Sequence, residues 1–360
     1  MAHRVFNFSA GPSTLPLSVL EQVQAELLDY RGTGMSIMES SHRSPEYDAV
    51  NESAIALTRE VLGLPDDFHI LFLTGGASQQ FAMIPMNFLK QGGVGSYVDT
   101  GTWSSKAIKE CQGIGETHVA FAGKGGDYAH IPTDDELDVP EGAEYLHITT
   151  NNTIKGTQFH HTPNVKVPLI ADMSSDIGSM RRDYSAYSML YAGAQKNLGP
   201  AGVTLVAMRD ELLQKSNDEL PTVLNYKTPA GKKSLYNTPP SFPIYVVNLV
   251  LQWIKDQGGL KAVERVNQQK KDLVYGMIDE HPEFFRGTAE KDSRSWMNLT
   301  LRLPDEAMEK RFIAEAKAEG LGGLKGHRSV GGIRVSLYNA MPLAGAEAVC
   351  HFMKQFMAKG

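Results

Sequence analysis

Cysteine is scarce. The 360 residues hold two, Cys111 and Cys350, far apart and in no CxxC pair. That excludes a disulfide framework and fits a reducing cytosol. A basic excess is also missing. Lys plus Arg number 35 against 41 Asp plus Glu, for a net charge of -6. A nucleic-acid binder carries a basic excess or a basic stripe, and neither is present, so no nucleic-acid partner is expected. Long apolar runs are absent too. A membrane span needs roughly 18 apolar residues, and the best run, Ile244 to Ile254, is interrupted by Asn248 and Gln252. The opening MAHRVFNFSAGPS has no apolar core of signal-peptide length. The expectation is a cytoplasmic protein with no membrane partner. No solenoid period and no low-complexity tract occurs. What is present is ordinary for a soluble enzyme: 42% hydrophobic and 21% charged residues, ample to offset chain entropy. At roughly 150 residues per domain, about two domains are expected.

Strand-like and helix-like segments alternate through most of the chain. Residues 16–30 read as a helix, with Pro16 in the first turn and Gly32 past the end. Ser44-Pro45 caps a second, whose apolar face is Tyr47, Val50, Ala54, Leu57 and Val61. Seven runs of strand length follow: 69–74, 96–99, 117–122, 145–149, 167–171, 189–193 and 202–208. Unbroken apolar strands spaced by helix-sized gaps predict an α/β fold with a mainly parallel sheet covered on both faces. From about Phe242 the character changes. Helical patterns at 242–257, 260–280, 305–319 and 343–357 flank strands at 297–303 and 333–337. The expected organisation is an N-terminal segment 1–15, a large domain 16–260 and a smaller α+β domain 261–360.

In such sheets ligands sit at the carboxyl ends of strands, so the residues just after each strand are the candidates for a site. Gly75-Gly76-Ala77-Ser78 offers small residues at a strand-to-helix turn: a phosphate cradle, or a plain capped turn. Trp103, after Asp99-Thr100-Gly101-Thr102, either stacks on a planar ligand or plugs the sheet end. Thr149 to Thr153 is a polar cluster. Asp172 closes VPLIA, and a carboxylate there is costly unless a cation or proton pairs with it. Lys196 follows MLYAG between Gln195 and Asn197, where desolvation or neighbouring charge can keep an amine nucleophilic. If the last two strands are neighbours, Asp172 and Lys196 open into one crevice. Pyridoxal phosphate needs that pair: a lysine to form a Schiff base with its aldehyde, and a carboxylate to keep its ring nitrogen protonated.

The blocks FNFSAGPSTLP, MESSHRS, IADMSSDI, YAGAQKNLGPAG, YNTPPSF and GHRSVGGIRVSLYNA resemble the phosphoserine aminotransferase family, class V members of the fold-type I pyridoxal-phosphate transferases. The resemblance runs essentially end to end, and AGAQKN with NTPP is its specific part. It implies that Lys196 carries the Schiff base and that Asp172 partners the ring nitrogen. It implies that Trp103 stacks on the ring and that Thr153 lies near the phenolic oxygen. Ala77, Ser78 and Gln195 match phosphate contacts. Asn237 and Thr238 match contacts reaching the phosphate from a second subunit, which implies a homodimer with shared sites. Some members carry an Arg in the GGAS turn; here Ala77-Ser78-Gln79 would leave phosphate binding to backbone N–H groups and hydroxyls.

Arg334 is the candidate for the α-carboxylate, which an Arg grips bidentately. His42, Arg43, His327 and Arg328 would clamp the distal group, a dianionic phosphate or the γ-carboxylate of glutamate. Taken alone, these are also ordinary loop cations. Gly331-Gly332 marks a close backbone approach or a plain turn. The implied reaction is ping-pong transamination between glutamate and 3-phosphohydroxypyruvate, giving O-phospho-L-serine and 2-oxoglutarate. A phosphorylated 2-oxo acid of pyridoxine biosynthesis is the implied second substrate. Rival readings fare worse. A cysteine desulfurase needs a nucleophilic Cys in a loop, and both cysteines fall in helical patterns. An alanine–glyoxylate enzyme does not need doubled His-Arg sites. GGVGSY and FAGKGG lack nucleotide-loop spacing. No metal site is expected, since adjacent His160-His161 do not share a face.

Overall fold

The computed structural model describes residues 4–360. Its central sheet has seven strands: β1 Phe68–Leu73, β2 Val94–Asp99, β3 Glu116–Ala122, β4 Ala143–Thr149, β5 Leu169–Asp172, β6 Met189–Gly193 and β7 Thr204–Arg209. The spatial order is β1-β7-β6-β5-β4-β2-β3. Pairings from β6 through β3 are parallel, while β7 lies antiparallel between β1 and β6. The expected mainly parallel sheet is therefore present.

Alternation of side chains explains the unbroken apolar strands. Ile70, Phe72, Leu146, Ile148, Leu190, Ala192, Leu205 and Ala207 enter one core. There they meet helices α2 (Pro45–Leu62) and α5 (Ser241–Asp256) through Tyr47, Ala54, Leu57, Val247 and Leu251. The intervening Leu71, Tyr145, Met189, Tyr191, Val206 and Met208 face α3 (Gly76–Phe88) and α4 (Thr102–Gln112), meeting Phe81, Ile84, Ala107 and Ile108. The apolar run Ile244–Ile254 is thus a buried helix of the first core. Among the described residues no helix is long and apolar enough to cross a membrane.

Helix α1 spans Leu17–Glu26, shorter than the 16–30 pattern. Tyr30 turns into the core and packs edge-on against Tyr245 at 5.6 Å. Left-handed Arg31, Gly32 and Gly34 let the chain leave the helix for that contact. Ser44 caps α2 as expected, accepting the Tyr47 N–H.

A separate core gathers the C-terminal elements: α6 (Gly259–Glu280), β8 (Arg286–Gly287), β9 (Asn298–Arg302), α7 (Glu306–Ala318), β10 (Ile333–Ser336) and α8 (Leu343–Ala358). Strands β8, β9 and β10 form one antiparallel sheet. Phe312 packs on Phe352 and Phe356 at 4.8 and 5.0 Å, and burying each ring is worth about 1.5–3 kcal/mol. The N-terminal segment is part of this core. Phe6–Asn7 pairs in parallel with Leu321–Gly322, and Phe8 is fully buried among the C-terminal residues.

Candidate active site

Lys196 lies three residues past β6. The chain there turns back on itself, with the Leu198 and Gly199 N–H groups both donating to the Ala194 carbonyl. The N-terminal loop grips this turn: Ser13 N–H donates to the Gln195 carbonyl at 2.9 Å and Ser13 Oγ to the Lys196 carbonyl at 2.5 Å. A Cβ added to Gly11 would sit 3.4 Å from the Lys196 Cε and Cγ, so the loop also walls the lysine stem. Reading the sequence did not single out Gly11 or Ser13; only their block FNFSAGPS drew attention.

The pairing of β5 with β6 sets Asp172 level with Tyr191, so the adjacent strand ends open together. Asp172 is buried and both hydrogen bonds to its carboxylate fall on Oδ1, from Ser174 N–H at 2.9 Å and Ser174 Oγ at 2.6 Å. The same Ser174 Oγ accepts the Gly193 N–H at 3.1 Å, tying the carboxylate to the end of β6. No protein donor among the described residues reaches Oδ2. Burial pushes the Asp172 carboxyl above its usual range, against the pull of Ser174 and the Lys196 charge. Burial pushes the Lys196 amine down, and the Arg334 charge lowers it further while Asp172 and Asp176 raise it.

Trp103 stands in the first turn of α4, a turn fixed by Ser104 Oγ, which accepts the Thr100 and Gly101 N–H groups. Its ring centroid is 5.9 Å from Lys196 Nζ. The indole Nε1–H donates to Thr153 Oγ1 at 3.2 Å, and the Thr153 carbonyl accepts from Arg334 Nη1 at 3.0 Å. Trp103, Thr153 and Arg334, expected from separate parts of the chain, therefore form one hydrogen-bonded series. Arg334 Nε is buried without an acceptor, and no carboxylate of the described residues pairs with this guanidinium. Burial pulls Arg334 below its ordinary value. His327 is pulled down by burial and then by the charges of Arg334, Arg328 and Lys106; His327 and Arg334 line one cavity. Lys106 was not foreseen; its Nζ lies 4.6 Å from the Trp103 ring centroid. It stands one turn beyond Trp103 on α4, a pattern that reads in sequence as a solvated helix face.

At the end of β1, Gly75 and Gly76 adopt left-handed backbone and α3 begins. Its first helical hydrogen bond is Gln79 N–H to the Gly75 carbonyl, so the amides of Gly76, Ala77 and Ser78 lack helical acceptors. Ser78 is exposed and Gln195 half-buried. Gly331 and Gly332 serve a turn. A Cβ on Gly332 would meet the Leu301 carbonyl at 2.7 Å, and the Gly332 carbonyl accepts the Gly326 N–H.

His42, Arg43, Asn237 and Thr238 are not brought to this cluster within one chain. None bonds to Lys196, Asp172, Trp103, Thr153 or Arg334 among the described residues. Arg43, Asn237 and Thr238 are exposed. Asn237 donates to the Thr238 carbonyl and lines a cavity of about 250 Å³ with Thr74 and Gln79. His42 Nε2 is buried without a partner.

The description "Aminotransferase class-V" matches residues 5–349. The phosphoserine aminotransferase of Geobacillus kaustophilus is 54% identical over 98% of both chains. That of Desulfosudis oleivorans is 53% identical over 99% of both. The solved phosphoserine aminotransferase from Bacillus circulans subsp. alkalophilus superposes with a TM-score of 0.98 at 52% identity, covering 100% of each chain. Another, whose structure concerns radiation damage of its Schiff base, gives 0.97 at 50% identity over 99% of this chain and 100% of its own. An alanine–glyoxylate aminotransferase from Nostoc sp. shares the fold, with a TM-score of 0.77 at 17% identity over 99% of this chain and 96% of its own.

Pyridoxal phosphate is the cofactor these likenesses carry, and the residues present fit it. An amine of lowered proton affinity, a buried carboxylate with one oxygen free and an indole face lie together, and the helix that starts at the end of a neighbouring part of the same sheet offers free amides suited to a phosphate. Since these are the requirements of pyridoxal-phosphate transamination and the likeness spans the whole chain, the chain belongs to the class-V aminotransferases and, within them, to the phosphoserine aminotransferase family.

Proposed function

We propose that the chain transaminates between L-glutamate and 3-phosphohydroxypyruvate, giving 2-oxoglutarate and O-phospho-L-serine by a ping-pong route in serine biosynthesis. The observation that carries this reading is the cluster of cations without carboxylates. Arg334, whose charge acts on the Lys196 amine, has no acidic partner among the described residues and a buried Nε without an acceptor, and Arg328 and Lys106, whose charges act on His327, are likewise unpaired. A substrate with an α-carboxylate and a dianionic distal group supplies those charges; alanine or glyoxylate does not.

When bound, pyridoxal phosphate takes up the amino group and accepts the electrons released at the substrate Cα. Lys196 would act as the base toward the substrate Cα proton, a role its lowered proton affinity favours. Asp172, held by Ser174 on Oδ1, offers Oδ2 to the ring nitrogen. Trp103 supports the ring plane, oriented by its bond to Thr153. Arg334 holds the α-carboxylate with its free Nε edge, steadied through Nη1. Ala77, Ser78 and Gln195 take the cofactor phosphate, and His327 and Arg328 the distal group.

The working unit we infer is a homodimer, with His42, Arg43, Asn237 and Thr238 completing the partner's site. Support comes from the exposure of Arg43, Asn237 and Thr238, from the unpartnered Nε2 of His42, and from exposed apolar side chains near them in sequence: Met38 is 51% exposed and Tyr236 45%. Such side chains cluster where protein surfaces meet. We place the enzyme in the cytoplasm, with 16–260 as the cofactor-binding domain and 261–360 as the smaller one. A phosphorylated 2-oxo acid of pyridoxine biosynthesis is its second substrate. The test is a half-reaction assay of the cofactor-loaded protein against phosphoserine and a panel of unphosphorylated amino acids. Bleaching by phosphoserine and glutamate alone is expected; equal bleaching by alanine would overturn the reading.

A further inference from the structure

Lys270 is fully buried on α6, yet no carboxylate among the described residues pairs with it. Its Nζ donates to the carbonyls of Leu337, Tyr338 and Met341 at 3.0, 2.8 and 3.0 Å. An ammonium has three hydrogens, and each finds a carbonyl. Burying such a group is costly; burial alone pulls its pKa down to about 7. A packed methionine would fill the space without that cost, so the location of the carbonyls is informative. They belong to the turn that follows β10, the strand bearing Arg334.

That turn is tied to the cofactor crevice. Asn339 N–H donates to Asn197 Oδ1 at 3.0 Å, and Asn197 directly follows Lys196. Asn339 Nδ2 donates to the Gly178 carbonyl at 2.9 Å. Asn197 Nδ2 reaches the Ser175 carbonyl at 3.5 Å, in the segment that follows Asp172. One helical turn before Lys270, Asn267 donates to Asn339 Oδ1 and to the Ser179 carbonyl, both at 2.8 Å. Residues three apart share a helix face. Asn267 and Lys270 therefore grip one turn, and that turn touches the chain just past both Lys196 and Asp172.

We propose that Lys270 is a positioning residue for the transamination: its ammonium clamps the Leu337–Met341 turn, and through Asn339 and Asn197 this clamp sets Lys196 against Asp172 and Arg334. Lys270 touches no reacting atom. Its effect is transmitted by the buried amide network, in which each member is fixed by the next. A displacement of about 1 Å at a reacting group is enough to cost on the order of 100-fold in rate.

The test uses Lys270→Met and Asn197→Ala, singly and together; the second removes the Oδ1 that accepts the Asn339 N–H. In the cofactor-loaded enzyme, well below the melting temperature and corrected for folded fraction, kcat/KM of Lys270→Met should fall about tenfold or more for both amino donors. In cofactor-free protein, amide hydrogen exchange should rise in the peptide 333–343 and also in 194–199. A purely local structural role would raise only the first. The double variant should be no slower than the worse single one, since both act through one link. Unchanged exchange at 194–199, wild-type kinetics, or multiplicative losses in the double variant would overturn the proposal. If Lys270→Met does not accumulate as folded protein, Asn197→Ala decides alone: exchange at 333–343 must rise, and unchanged exchange there overturns the proposal.

Discussion

Replacing Arg334 by Ala tests the site most directly. In the structure Nη1 is spent on the Thr153 carbonyl at 3.0 Å, while Nε is buried without an acceptor. The free edge of the guanidinium suits a carboxylate gripped by two charge-assisted hydrogen bonds. At about 1.5–3 kcal/mol each, their loss is worth about 3–6 kcal/mol, or on the order of 10²- to 10⁴-fold in kcat/KM. Both half-reactions should suffer alike, because every substrate carries an α-carboxylate. Arg334→Lys, which keeps the charge without the planar fork, should fall between. Charge adds a second readout. Arg334 lowers the proton affinity of Lys196, so its removal raises it. In cofactor-free protein the pH at which Lys196 becomes reactive toward an amine reagent should therefore move upward in Arg334→Ala. Single-turnover absorbance with glutamate and with phosphoserine gives the first quantity, and labelling of Lys196 read by mass spectrometry the second. A loss confined to one donor, or a downward shift of Lys196, would refute the assignment.

Lys106→Met should raise KM for phosphoserine while leaving that for glutamate within about twofold, since its cation lies beside His327 where a phosphate dianion gains most; steady-state kinetics decides. Mixing Lys196→Ala with an Asn237→Ala/Thr238→Ala variant should restore activity that neither has alone, and absence of restoration argues against shared sites. Arg182→Met should destabilise the protein by about 3–5 kcal/mol in chemical denaturation, because it strands Asp176 in a buried pair of 3.1 Å. His147 is buried, and its pKa is held at about 3 against an ordinary 6.5. The folded state therefore stays unprotonated while the unfolded chain protonates, and stability is lost as pH falls below 6.5. Between pH 7 and 4.5 this amounts to about 2–3 kcal/mol, so the stability of His147→Gln should fall less steeply over that range.

The seven strands were legible because both sheet faces are covered, which makes Met189–Gly193 an unbroken apolar run. The direction of β7 was not: Thr204–Arg209 is equally apolar whichever way it runs, and its antiparallel place depends on its neighbours. Asp172 and Lys196 could be found because a carboxylate and an amine at the ends of buried strands need a reason. Lys106 and Lys270 gave no such signal. Each lies in a helical pattern among other polar residues, and what distinguishes them is a partner far along the chain: His327 for one, the Leu337–Met341 turn for the other. The role of the N-terminal loop was hidden for the same reason, since Ser13 meets Lys196 only after the sheet has formed.

The charges decide what kind of molecule the cleft is for. The buried or half-buried guanidinium groups of Arg182, Arg302 and Arg294 find carboxylates in Asp176, Glu309 and Asp279. In a chain of net charge -6, acidic side chains are not in short supply, yet Arg334, whose charge acts on Lys196, pairs with none among the described residues and keeps a buried Nε without an acceptor. An internal carboxylate on Arg334 would satisfy its buried Nε but occupy the place of the substrate. It would also raise the proton affinity of Lys196 before any substrate had bound. On the reading proposed above, an open Arg334 serves both ends: its charge adds to burial in lowering the proton affinity of Lys196 in the empty site, and an arriving carboxylate offsets that charge and raises the affinity again.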